Sequence, residues 1–201
     1  MARAVNAREL ATKREVAAEL ARHGSGYVLL AAIAGGLALR RRGPRLGRGD
    51  AAAVLAVVAL QPVIEWGLHR FALHMPARSV AGRRFDPGAA HRGHHRVPDD
   101  VGGALLGTSF AVSNGAVAAV AAAGIGAAVG GPVAVGSAVA AGEAGLLAYE
   151  WVHLLSHSGY RGRTARFRQL RAGHLRHHHR DDSTNFGITS RFVDRLLGTA
   201  A

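Results

Sequence analysis

Between Asp100 and Glu143 this chain runs for 42 residues without one charged side chain. As helix, at about 1.5 Å per residue, the run reaches roughly twice the thickness of a bilayer hydrocarbon core. A soluble domain of 201 residues would not bury such a run. Two passes through lipid accommodate it, with GIGAAVGGP at 124–132 as the hairpin between them. Its Ala and Gly residues are those that let helices approach closely in lipid. Two shorter apolar stretches precede it. Residues 26–39, GYVLLAAIAGGLAL, just reach across with a snorkelling Arg40 beside them. Residues 51–68 are apolar apart from Gln61 and Glu65, and Pro62 is placed to kink the helix. The pattern predicts an all-α fold, an integral membrane four-helix bundle with spans at about 26–40, 51–73, 102–124 and 132–155. Residues 1–25 mix both charge signs with Val5, Leu10, Val16 and Leu20 and read as an N-terminal amphipathic or interfacial helix ended by Gly24. Residues 26–201 then form one membrane domain.

Ten of the twelve histidines fall into four clusters at the predicted span ends and in the polar segments beside them. His69 and His74 read HxxxxH, His91, His94 and His95 read HxxHH, His153 and His157 read HxxxH, and His174, His177 and His178 again read HxxHH. On an α-helix, residues three and four apart share a face. Neutral imidazole is the commonest side-chain metal ligand, and facing pairs at this spacing are how helices build metal sites. A structural zinc site closes with four ligands, so ten exceed it. Ten nitrogens give two metal ions about five each and leave positions for water or oxygen; imidazole suits iron, zinc and copper alike. The absence of cysteine removes thiolate sites and disulfides. His23 reads as a solvated or capping residue and His179 as a neighbour of the ligands. Acids at bilayer depth are costly unless paired. Glu65, one turn before His69, and Glu150, three residues before His153, are therefore candidates to accept the outer N–H of a ligand imidazole.

Net charge narrows the class further. The chain carries +12, with 25 Lys and Arg against 13 acids, but its aromatic content is only 5%. The basic residues flank apolar runs and do not alternate with stacking aromatics, which favours an anionic membrane surface and no nucleic acid. Twenty of the 25 lie on the histidine side of the four-span arrangement and five in the Arg40–Arg48 turn, so the histidine face and both termini are expected to be cytoplasmic. A metal-handling carrier or buffer would string histidines or carboxylates along its spans; clustering at one face disfavours it.

The order HRFALH, HRGHHR, HLLSH, HLRHH, followed by NFGITSRFVDRLLGT, resembles the fatty acid hydroxylase/sterol desaturase superfamily of membrane di-metal enzymes. The stretch QPVIEWGLHRFALH is most similar to bacterial fatty acid hydroxylase-type members, and the likeness runs from about Gln61 to Thr199. The resemblance implies a four-span bundle with a cytosolic histidine-rich helical cap. It implies two iron ions held by His69, His74, His91, His94, His95, His153, His157, His174, His177 and His178, with molecular oxygen as co-substrate and no catalytic side chain beyond these ligands. Zinc could replace iron in purified protein. The implied activity is hydroxylation of a lipid acyl chain; a sterol or carotenoid ring as substrate, or desaturation, are the alternatives within the superfamily. The partners implied are a membrane lipid or acyl substrate and, since a chain of this length has no room for a fused cytochrome, a separate ferredoxin-like protein or reductase as electron donor. The sequence departs from the family pattern at Val193 and Leu197, where Trp and Phe are usual, positions that bear on cap packing or substrate contact and not on metal binding.

Overall fold

The computed structural model describes residues 5–201; the first four residues of the expected N-terminal helix lie outside them. The rest of that stretch is not one helix. A 3-10 turn at Ala7–Glu9 comes first, then α1, Lys13–Arg22. A capping box sets the start of α1: Thr12 Oγ1 accepts from Glu15 N at 3.2 Å, and Glu15 Oε2 accepts from Thr12 N at 2.8 Å. Gly24 does not end α1 but begins α2, Gly24–Arg41, whose cap is the His23 side chain accepting from Ser25 N.

Helix α3 spans Arg48–Gly67 and carries Pro62 inside it without ending. It passes straight into a π-helical segment, Leu68–Leu73. The polar segment that follows holds the departure from an all-α fold. Strands β1, Arg78–Val80, and β2, Arg83–Phe85, pair antiparallel. Their two-residue turn is Ala81 and Gly82, with φ of 50° and 75°, as a tight hairpin requires. Then come α4, Ala89–Arg96, the short α5, Val101–Ala104, and α6, Thr108–Gly130.

The expected hairpin at 124–132 is much shorter than the Gly-rich run that suggested it. Helix α6 continues through Gly124, Gly126 and Gly130, because intrahelical hydrogen bonds are the best an apolar setting offers the backbone. The break comes at Gly131, with φ of 79°, followed by Pro132 and a 3-10 turn. Helix α7 is Val135–His157, α8 is Ala165–His179 and α9 is Phe192–Leu196.

Among the described residues three helical stretches are long and apolar enough to cross a membrane: Arg48–Leu73, Val101–Gly130 and Pro132–His157. Their apolar side chains point outward, with Leu55, Val117 and Val120 exposed at 68, 70 and 75%. Outward apolar side chains along helices of this length suit lipid and not water.

The chain divides into two compact units. One comprises Glu19–Gln61 and Leu106–Glu150. Small side chains fill its core, among them Ala53, Val57, Ala122, Ala134 and Ala138. Helices α2 and α7 meet backbone to backbone: a Cβ placed on Gly136 would stand 2.6 Å from Gly36 O. Arg40 does not snorkel. It is buried, pairs with the Asp50 carboxylate and donates to Pro44 O and Arg45 O, while Asp50 also accepts from Ser137 Oγ at 2.6 Å. A partner close enough to neutralise the guanidinium removes the reason to reach for water.

The other unit comprises Met1–Ala18, Pro62–Leu105 and Trp151–Ala201 and contains all ten clustered histidines. Its apolar core includes Trp66, Phe186 and Val193. The N-terminal segment is stitched in by backbone bonds from Ala7 N to Asp99 O at 2.7 Å and from Val101 N to Val5 O at 3.1 Å.

Candidate metal centre

The ten histidines gather into two groups of five. His69, His74, His91, His95 and His177 form one; His94, His153, His157, His174 and His178 form the other. In each group one nitrogen per ring lies within 4.8 Å of every other. The HxxHH motifs split: His91 and His95 go to the first group and His94 to the second, and α8 divides His177 from His174 and His178 in the same way. His95 and His178 stack across the boundary with ring centroids 4.1 Å apart. His179, exposed at the end of α8, belongs to neither group.

Local structure explains each placement. His91, His94 and His95 lie in the last turns of α4, His153 and His157 in those of α7, and His174, His177 and His178 in those of α8. The C-terminal end of a helix carries about half a negative charge, so three helices point their negative ends at one small region. HxxxxH is the odd spacing, since five residues on an α-helix would turn the second ring away. The π segment wraps one more residue per turn and returns His74 beside His69, ring centroids 5.3 Å apart. Arg171 locks two of the ligand helices together, donating from α8 to Ser156 O and Ser158 O at the end of α7, each at 3.1 Å.

The outer nitrogens define the tautomers. A carbonyl oxygen can only accept, so His69 Nδ1 donates to Phe186 O at 2.6 Å, His177 Nδ1 to Thr184 O at 2.7 Å and His153 Nδ1 to Ala104 O at 2.8 Å. A neutral ring with its proton on Nδ1 has a bare lone pair on Nε2. The Nε2 atoms nonetheless crowd together. His69 and His91 are 3.0 Å apart, His74 and His177 3.1 Å, His94 and His157 3.1 Å, and His157 and His174 2.7 Å. In the second group Nδ1 of His94, His157 and His174 and both nitrogens of His178 are buried without a hydrogen-bond partner among the described residues. Each such atom costs about 1–3 kcal/mol in protein surroundings. Converging lone pairs and unpartnered buried nitrogens are the arrangement a cation relieves, so the donor set fits a metal ion in each group.

Protons do not fill that role. Burial, reinforced by neighbouring imidazoles, pushes His95 down to about 3 and His94 to about 2. Burial is again the largest cause for His177, held at about 4 with the Thr184 carbonyl opposing the shift. Burial, again with neighbouring imidazoles adding to it, also lowers His91, His174 and His178. The rings are thus neutral at ordinary pH, the form that binds metal.

The carboxylates lie elsewhere than the spacing suggested. Glu65 is buried, but it accepts from Ile188 N, from Thr189 N at 2.8 Å and from Thr189 Oγ1, while His69 donates to the Phe186 carbonyl. Glu150 accepts from Ser25 Oγ at 2.7 Å and from Leu106 N at 3.2 Å, and His153 donates to a carbonyl. Backbone oxygens, and not side-chain acids, take the outer protons of the three imidazoles whose Nδ1 partner is a carbonyl.

The fatty acid hydroxylase family model matches residues 54–199, which include all ten histidines. The chain belongs to the fatty acid hydroxylase family. Among solved structures it is similar to full-length Scs7p, of which only the hydroxylase domain is visible, with a TM-score of 0.66 and 20% identity. That match covers 88% of this chain and 65% of the other, so this chain spans just under two thirds of that one, and at this identity the likeness is one of fold. No curated protein matches the chain.

In this member of the family, Val193 is buried against Trp66 and Phe186, so it packs the apolar core of the histidine-bearing unit, whereas Leu197 is exposed. The residue that sequence reading missed is its neighbour Asp194, fully buried and bonded to Trp66 Nε1, Phe186 N, Gly187 N and Thr199 Oγ1. Its signal was an acid, next to Arg195, in the otherwise apolar FVDRLL stretch.

Proposed function

We propose that this chain is an integral membrane lipid monooxygenase that hydroxylates a fatty acyl chain, with one iron ion held by each group of five histidines. The observation that carries the reading is the convergence of five imidazole nitrogens within 4.8 Å, twice, in a chain of the fatty acid hydroxylase family. Bound iron would supply the activation of molecular oxygen at a C–H bond. The chain's own residues hold and orient. The carbonyls of Phe186, Thr184 and Ala104 fix the tautomers of His69, His177 and His153 so that Nε2 faces inward. Putting one oxygen atom into a C–H bond while the other leaves as water consumes two electrons and two protons. A separate ferredoxin-like protein or reductase is therefore part of the reading.

The same reading takes residues 26–201 as one hydroxylase domain in which α2 joins the three longer stretches as a fourth span, and residues 1–25 as an interfacial segment. It makes the histidine face cytoplasmic, on the distribution of basic residues. Glu65 contributes by holding the Ile188–Thr189 backbone, and Glu150 by fixing Ser25 and Leu106.

Detergent-purified protein analysed for metals, with lipid profiling of cells with and without the chain, tests it. Two metals per chain are expected, iron in active protein or zinc by substitution, together with oxygen-dependent hydroxylated acyl chains. Activity intact at one metal or none would refute the di-iron reading. Two metals with an unchanged lipid profile in the presence of a competent donor would favour metal handling.

A further inference from the structure

Four consecutive backbone N–H groups, those of Phe186, Gly187, Ile188 and Thr189, are taken in pairs by two buried carboxylates. Asp194 accepts the first two, each at 2.9 Å, and Glu65 the second two. The carbonyls of the same segment point the other way, Thr184 O to His177 and Phe186 O to His69. Between them Asn185 takes a left-handed φ of 54°, a conformation Asn tolerates, and is tied to the chain end through Asn185 N to Thr199 O at 2.8 Å.

We infer that Asp194 is a positioning residue for the His69 group: its carboxylate fixes the backbone whose carbonyls orient His69 and His177. This rests on the reading of that group as a metal site. Asp194 touches no ligand itself. Its Oδ1 gathers Trp66 Nε1 at 3.1 Å and Thr199 Oγ1 at 2.8 Å as well as Phe186 N, so the end of α3, the segment before α9 and the C-terminal residues meet on one oxygen. Its Oδ2 serves Gly187 N alone. The His94 group draws its carbonyl from Ala104, on a different segment, and has no such link to Asp194. The effect of Asp194 is therefore selective for one group. Outer-shell partners of ligand imidazoles are worth about 10- to 100-fold in metal affinity.

Asp194→Asn keeps the shape but turns an acceptor into a donor facing a backbone N–H. Metal-free full-length protein titrated with cobalt(II), followed by the visible spectrum, reads the two groups without turnover. Wild-type protein is expected to bind two ions. Asp194→Asn should bind one as wild type does and the other about 10- to 100-fold more weakly, with the spectrum of the weak site altered. Thr199→Val, which removes one donor to Oδ1, should shift the same site in the same direction by less, and it decides the matter if Asp194→Asn does not fold. Equal weakening of both sites, or no weakening in folded variants, overturns the inference alone. Wild-type protein that takes up no cobalt overturns both the inference and the metal-site reading.

Discussion

His157 is held by its neighbours more than by the backbone: its Nε2 lies 3.1 Å from His94 and 2.7 Å from His174, and its Nδ1 has no partner among the described residues. Replacing it with Ala takes a ligand from the second group only. We expect His157→Ala to lose one of two metals and all hydroxylation, whereas His179→Ala, exposed and outside both groups, should retain both. Metal content of the two purified variants decides this, and equal loss would mean the assignment of His179 is mistaken. The neutral rings also fix a pH dependence. Burial keeps His95 near 3 and His177 near 4 in the folded chain, while a free imidazole titrates near about 6.5. The unfolded chain therefore binds more protons than the folded one between those values, and stability falls as pH falls. Metal-free protein should melt at progressively lower temperature from pH 7 to pH 5; a flat profile would contradict burial as the cause.

At the level of elements, what the sequence made legible was set by periodicity and charge. HxxxH and HxxHH at α-helical spacing placed eight histidines on α4, α7 and α8, because those spacings leave one geometry for a helix. The 42 uncharged residues between Asp100 and Glu143 marked two of the long helices. Features that depend on tertiary partners were not legible. Arg40 next to an apolar run gives no sign of Asp50, ten residues on, folding back to pair with it. The Ala81–Gly82 hairpin was hidden in a segment whose charges suggested only exposure. Glu65 was marked as an acid at bilayer depth in need of a partner, with His69 as the candidate, but helical spacing cannot reveal that the backbone at Ile188 and Thr189 comes to meet it. Asp194 carried no periodic signal at all, since its role is made by four donors remote in the chain or irregular in structure.

For the molecule as a whole, the open quantity is direction across the membrane. Twenty basic residues against five predict that the 75–100 segment and both termini share the cytoplasmic side, with the Arg40–Arg48 turn opposite. The chain has no cysteine, so single cysteines introduced at exposed positions report without background. Cysteines at Ser79 and at Ala201 should label from the cytoplasm and one at Leu46 from outside, all three positions being exposed. Labelling of Ser79→Cys and Ala201→Cys from opposite sides would break the four-span arrangement and with it the fourth-span role of α2.

The π segment at Leu68–Leu73 has a consequence best counted in chain length. A π turn is an α turn with one residue added, so the surplus residue can be returned without moving what flanks it. Deleting Ala72 would convert HRFALH to HRFLH, an i, i+4 pair on an ordinary α-helix, with both imidazoles still on one side. The same deletion in HLLSH, already α-helical, would leave an i, i+3 pair, the spacing at which His91 and His94, and His174 and His177, fall into different groups. We expect the chain to tolerate a change of one residue at the first of these histidine motifs and not at the second. Metal content should stay at two in the first deletion variant and drop in the second.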